Sequence, residues 1–285
     1  MDRFNSTKKV AVMGVSANIL LLGLKLAVGF LSRSQAMIAD GFNSAGDVFA
    51  SAMTYIGNKI ASQPEDENHP YGHGKAEYIF SMIISFSLLL VAGEVLKSSV
   101  RAIVSRKVFV FSWWLVGIAV FTIIIKFGLY LYTRKTGRKE DNLLVLANSE
   151  DHRNDIFVTG STLLGIILGV NGIYWLDGVV GIGISVWMAF TGIRIFHSSY
   201  RVLMDTNMDK ILEKDILNEI SSINGIDHID KITAKPIGFK YIIIVKVSVL
   251  GDMTVNESHG IAAEIKAKLK SLKNVGDVVV HINPA

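Results

Sequence analysis

The chain has 285 residues, of which 50% are hydrophobic and only 19% charged, with a mean hydropathy of +0.41; ordinary soluble domains carry about 25% charged residues. That balance points to a membrane protein, and the absence of cysteine excludes disulfides and thiolate metal sites. The net charge of +4 suits loops facing anionic lipid, and no basic stripe with interleaved aromatics speaks for nucleic acid.

A helix needs about 20 apolar residues to cross the hydrocarbon core. Six segments qualify in chain order: Val10 to Leu31, Gln35 to Ile60, Ala76 to Val100, Val108 to Tyr132, Leu143 to Val170 and Ile173 to Phe196. The first nine residues are polar and the run after them is long enough to span, so no cleavable signal peptide is expected. Six spans put both termini on one side. That side carries Arg3, Lys8, Lys9, Lys59, Lys75, Arg134, Lys135, Arg138, Lys139, Arg194 and Arg201. The other carries only Arg33, Lys97, Arg101, Arg106 and Lys107. The excess of positive charge assigns the termini to the cytoplasm.

After about Met208 the pattern changes. Ile211 to Ile223 has helical apolar spacing. Ile229 to Ala234 and Tyr241 to Leu250 read as strands around a Pro236-Ile-Gly238 turn, Glu257 to Leu272 as a helix and Val275 to Ile282 as a last strand. The expected organisation is therefore a transmembrane domain over 1–207 and a soluble αββαβ domain over 208–285, with a three-stranded sheet and helices on one face.

The second and fifth spans are the least hydrophobic, and each holds a polar pair at helical i, i+4 spacing: Asn43 with Asp47, and Asp151 with Asp155. A carboxylate inside a bilayer is costly and faces the protein interior. Two carboxylates on one helix face repel unless a cation or protons lie between them. If the two helices adjoin, the Asn43 carbonyl and the Asp47, Asp151 and Asp155 carboxylates would form an oxygen cage for a divalent cation. Oxygen donors suit hard ions such as Mn²⁺, whereas a histidine among them would favour Zn²⁺. His152 lies about 100° around the helix from Asp151 and is left out of the cage. Asp40 shares the Asn43 stripe, as a proton relay, a hydrogen-bond acceptor behind the ligands, or a helix-helix contact. The loop from Glu65 to Glu77 holds Asp66, His69 and His73, which form either a surface metal site or an ordinary solvated loop.

The strings Ala39-Asp-Gly-Phe-Asn-Ser-Ala-Gly-Asp47, His69-Pro-Tyr-Gly-His-Gly-Lys-Ala-Glu77 and Asp151-His-Arg-Asn-Asp155 together resemble the cation diffusion facilitator family. The resemblance covers nearly the whole chain. It implies a homodimeric exporter of divalent transition metals coupled to proton antiport, with six transmembrane helices in the cell membrane and a metallochaperone-like cytoplasmic domain. The implied transport ligands are Asn43, Asp47, Asp151 and Asp155, a set without histidine that looks like the bacterial manganese-exporting branch. The implied loop site is Asp66, His69 and His73, and the implied charge lock between subunits is Lys75 with Asp205. In the cytoplasmic domain the positions that bind zinc elsewhere in the family read Asp230, Val245, His259, His281 and Asn283. One is apolar, so a complete binuclear zinc site is not expected. Asp230, His259 and His281 remain either a regulatory cation site or surface groups on a dimerising sheet. The implied partners are a second copy of the chain, lipid and the metal cargo; no prosthetic group is expected. Competing readings are an exporter of Fe²⁺, Zn²⁺, Co²⁺ or Cd²⁺ and a non-transporting metal sensor. No Ser/His/Asp grouping, HExxH or P-loop supports an enzyme.

Overall fold

The computed structural model describes the backbone of residues 2–31, 35–105, 113–170 and 175–285. Within them, side chains are described except those of 2, 29–31, 35–43, 102, 105, 115, 162, 165–170, 175–178 and 180. The chain forms two compact units, one of residues 1–64 and 76–200, the other of residues 65–75 and 201–285. The first is a helical transmembrane region and the second contains the cytoplasmic α+β domain.

Six long helices build the first unit: α1 Asp2–Leu31, α2 Gln35–Ala61, α3 Ala76–Ser105, α4 Trp113–Lys139, α5 Leu143–Val170 and α6 Trp175–Leu203. They match the six expected spans, though α1 begins before its apolar run and α3, α4 and α6 continue past theirs. Among the described residues, Arg3–Val28, Ala76–Arg101 and Val116–Lys139 are long and apolar enough to cross a membrane. Helices α2, α5 and α6 each include residues whose side chains are not described, and the three spans are those of the described residues alone. Large side chains such as Leu90, Trp113, Ile124, Val186 and Phe190 lie exposed on the outer faces. The interior of the unit holds Asn18, Lys25, Ser51, Thr54, Lys126 and Asn148 beside apolar residues such as Leu21, Ile84, Leu88 and Leu144. Apolar outer faces with ionisable groups kept inside are the pattern of helices surrounded by lipid.

Helix α1 packs on α2 and α4, and α5 packs on α2, α3 and α4. Glycine makes two of these approaches possible. A Cβ on Gly14 would lie 2.9 Å from Ser51 Oγ, and one on Gly57 would lie 2.9 Å from Leu144 Cδ2 of α5. The start of α5 is fixed by polar contacts. Asn142 Oδ1 accepts from the Val145 amide at 3.0 Å, and Glu77 Oε1 accepts from the Leu143 amide at 3.1 Å. These contacts satisfy donors that the first helical turn leaves open.

The second unit follows the expected order: α7 Lys210–Ser221, β1 Ile226–Ile237, β2 Lys240–Val249, α8 Val255–Lys270 and β3 Val275–Pro284. The sheet order is β1-β2-β3, antiparallel between the first two and parallel between the last two. Asp209 caps α7, and a Thr254–Glu257 capping box opens α8. The core joins Ile216 and Ile220 of α7, Ile243, Val245 and Val247 of β2, Ile265 and Leu269 of α8, and Val278 of β3. The period-two alternation of β2 sends its three apolar residues to the helix-covered face. Ile243 is fully buried, so Ile243→Ala should cost about 3 kcal/mol. The expected readout is cleavage of the 208–285 region at lower temperature when the full-length chain is heated with protease.

Two details differ from expectation. Pro236 and Ile237 belong to β1, and the turn is Gly238-Phe239. Gly238 has φ +62°, and a Cβ there would lie 2.8 Å from the Gly74 Cα, so the hairpin tip needs glycine on both grounds. In addition, residues 65–75 between α2 and α3 belong to the second unit rather than to the helical one.

Candidate metal centre

Asp47 on α2 and Asp151 on α5 are buried, and Asp155 is largely so. What joins the two helices is a residue outside the expected set. Lys126, near the middle of α4 and 0% exposed, donates to Asp47 Oδ2 at 2.7 Å and to Asp155 Oδ2 at 2.5 Å. Carboxylate oxygens from α2 and α5 thus converge on one small cation, here an ammonium. The side chain of Asn43 lies outside the described residues, as does that of Asp40.

His152, left out of the cage on sequence grounds, lies in the same region. One ring nitrogen of His152 and carboxylate oxygens of Asp151 and Asp155 all lie within 4.8 Å of one another. The helical wheel fixes only the direction of the Cα–Cβ bond, and an imidazole reaches well beyond it. The ring lies against α1: a Cβ on Gly14 would stand in ordinary contact with His152 Nε2, at 3.8 Å. The ring is fully buried, and both nitrogens lack a hydrogen-bond partner among the described residues; so does Asp151 Oδ2. Buried polar atoms without partners are uncommon and call for an explanation such as an ion. A ring nitrogen therefore lies beside the carboxylates of α5.

Around this cluster the helices are held by neutral polar contacts. Asn18 of α1 donates to the Asp47 carbonyl and to Ser51 Oγ, both at 3.0 Å. Asn148 of α5 donates to Thr54 Oγ1 at 2.8 Å. Lys25 of α1, also buried, donates to Ser44 Oγ at 3.0 Å. The sequence signal for Lys126 and Lys25 was available: each is a lone cation within an otherwise apolar run. An ionisable residue at such depth needs a polar or charged partner.

The loop residues Asp66, His69 and His73 do come together, with ligand atoms within 4.8 Å of one another. Asp66 Oδ1 accepts from the His69 amide at 2.6 Å and meets His69 Nδ1 at 3.0 Å; Asp66 Oδ2 lies 3.4 Å from His73 Nε2. The amide hydrogen bond, more than the imidazole, holds the Asp66 carboxyl below its ordinary range. The two rings are 4.4 Å apart and tilted by 46°. Gly72, with φ +75°, makes the turn that brings His73 back.

Lys75 Nζ contacts Asp205 Oδ1 at 2.6 Å, and Lys235 reaches the other oxygen at 3.3 Å. Within the single chain the two residues meet directly, and residues 65–75 and 201–285 share a unit. The hydrogen bond from Lys75 draws the Asp205 carboxyl downward. Asp205 itself has φ +51°.

In the cytoplasmic sheet, Asp230 accepts from Asn283 and Ser248, each at 3.1 Å, and lies 3.1 Å from His228 Nε2. The Asn283 amide leads in holding the Asp230 carboxyl low. Asp227 raises the His228 imidazole above its usual value. Within the single chain, Asp230, His259 and His281 form no group with ligand atoms gathered as in the two clusters above, among the described residues. His228 is the neighbour that sequence reasoning missed.

Comparison with known proteins follows the same division. Residues 11–204 match the cation efflux transmembrane domain, and residues 208–285 match the cation efflux protein cytoplasmic domain. Bacillus subtilis (strain 168) has a similar protein named manganese efflux system protein MneS, 32% identical over 100% of this chain and 99% of its own. Its manganese efflux system protein MneP is 28% identical, covering 99% of this chain and 98% of MneP. Magnetosome protein MamM of Magnetospirillum gryphiswaldense is 27% identical over 92% of this chain and 83% of its own. With both matched regions together spanning nearly its full length, this chain belongs to the cation efflux family, the cation diffusion facilitators.

Proposed function

We propose that the protein exports a divalent transition-metal cation, foremost Mn²⁺, from the cytoplasm in exchange for protons. The transport ligands are Asn43, Asp47, Asp151 and Asp155. The observation that carries this reading is the convergence of Asp47 and Asp155 on a single ammonium, since oxygens that grip one small cation from two helices can grip another. The names of MneS and MneP favour manganese. Metal binding requires ionised carboxylates, so protons and metal compete for them. Opening the site to a more acidic compartment would protonate the cluster and release the ion. The carboxylates titrate as a set, and no single one is assigned the proton. Helix rocking would alternate access, as in other transporters.

The reading extends to a homodimer joined through the cytoplasmic domain, in the cell membrane, with both termini in the cytoplasm. Lys75 and Asp205 brace the 65–75 loop on the cytoplasmic domain. Asp66, His69 and His73 offer a surface metal site, and Asp40 a polar neighbour of the ligands. Asp230, His259 and His281 would bind metal only if a second subunit completes the set.

His152 supports a second reading in which Fe²⁺, Zn²⁺ or Co²⁺ is carried, because imidazole suits such ions better than oxygen alone does. Competitive uptake of Mn²⁺, Fe²⁺, Zn²⁺, Co²⁺ and Cd²⁺ into inverted proteoliposomes, with an internal pH dye, tests both readings. Metal-dependent alkalinisation with manganese preferred is the expected result, and the absence of any metal flux would overturn the proposal. In the same assay Asn43→His should raise zinc flux relative to manganese. An unchanged ratio would show that Asn43 does not select.

A further inference from the structure

Lys126 reveals the convergence of the ligands but has no role of its own in the transport reading. It is completely buried on α4, and its ammonium touches Asp47 of α2 and Asp155 of α5 at once. These are two of the proposed ligands, on two different helices. A divalent ion binds carboxylate oxygens at about 2.0–2.2 Å. An ion between these oxygens would overlap and repel an ammonium held 2.7 and 2.5 Å from them. The two cations therefore exclude each other.

Resting on the ligand assignment above, we propose that Lys126 is a tethered cation that occupies the place of the metal when the transporter is empty. It withdraws from Asp47 and Asp155 when an ion binds and returns when the ion leaves. A lysine stem can do this because it is flexible, carries a compact charge and swings away without unwinding its helix. Two results follow. Metal affinity is held down by the fraction of molecules in which the ammonium sits in the site. In addition, the emptied carboxylates are partly neutralised by the protein itself during the return stroke, so fewer protons need to be carried back per ion. Lys25, on Ser44 of α2, adds a second buried positive charge in the helical unit, and Asp151 and His152 complete the surroundings. A merely structural pin would hold α2, α4 and α5 together without competing with metal.

The test is Mn²⁺ binding by calorimetry to the full-length protein in nanodiscs. Lys126→Gln removes the charge and should tighten binding about tenfold or more. Lys126→Arg keeps the charge and should leave binding unchanged or weaker. Lys126→Met, which preserves the length and apolar stem, makes the same comparison if the glutamine variant does not assemble. Unchanged or weakened binding in the neutral variants would overturn the proposal, as would equal tightening by arginine. The double variant Asp47→Ala/Lys126→Gln separates the two readings. Loss of the tightened binding supports Asp47 as ligand and the lysine as its competitor. Retention of tight binding there rejects the ligand assignment itself. If Asp47→Ala alone abolishes binding while Lys126→Gln matches the wild type, only the lysine inference fails.

Discussion

Asp155→Ala should abolish manganese flux in proteoliposomes, with a loss of about 100-fold or more, because it removes a proposed ligand from the metal site. It should also weaken the fold. Lys126 would keep only Asp47 as an ion-pair partner, and leaving a buried charge half compensated costs about 3–5 kcal/mol. The two effects can be parted. Asp155→Asn keeps a hydrogen-bond acceptor for Lys126 and should assemble more stably than the alanine variant, yet it too should lose flux. Asp47→Ala and Asp47→Asn should behave alike. Wild-type flux in a well-assembled Asp155→Asn protein would remove Asp155 from the ligand set.

The second large effect is expected far from the metal. Glu77, 2% exposed, pairs with Arg3 at 2.8 Å while accepting from the Leu143 amide. One carboxylate therefore ties α1, α3 and the start of α5 together. Glu77→Ala would take the carboxylate from a guanidinium that is only 11% exposed, leaving it the Glu140 and Asp141 carbonyls, and would remove the acceptor of an amide at a helix start. The expected loss is about 3–5 kcal/mol, seen as a lower temperature of aggregation in detergent. Glu77→Gln should recover part of it through the amide acceptor. Lys75→Ala, at a pair more than a third exposed, should change the same readout little. Equal effects of Glu77→Ala and Lys75→Ala would mean that burial does not govern these pairs.

The six long helices were legible because runs of apolar residues fix helix position by composition alone. The bounds of α2 and α5 fall within a residue or two of the expected ones for that reason. The β1 strand was less legible. Its first half, His228, Asp230 and Lys231, is polar and mostly exposed, so hydrophobic alternation marks only the second half. Asp47, Asp151 and Asp155 could be picked out because carboxylates are costly in apolar runs. Lys126 was equally visible as a lone charge, but its meaning depends on α4 lying beside α5, which periodicity does not reveal. His152 is set aside by the angle on one helix, which does not show how far an imidazole reaches from its Cα toward Asp151 and Asp155. The pairing of Lys75 with Asp205 inside one chain likewise depends on which body the 65–75 loop joins.

That loop has a mechanical consequence. Because residues 65–75 are part of the soluble body, the backbone passes between the two bodies at three places, after Pro64, after Lys75 and after Tyr200. A tail held by a single swivel could drift without disturbing the helices. A body stitched in at three points is continuous in backbone with the end of α2 and the beginning of α3 as well as with α6. The helix that carries Asp47 therefore has its own covalent link to the soluble body, independent of α6.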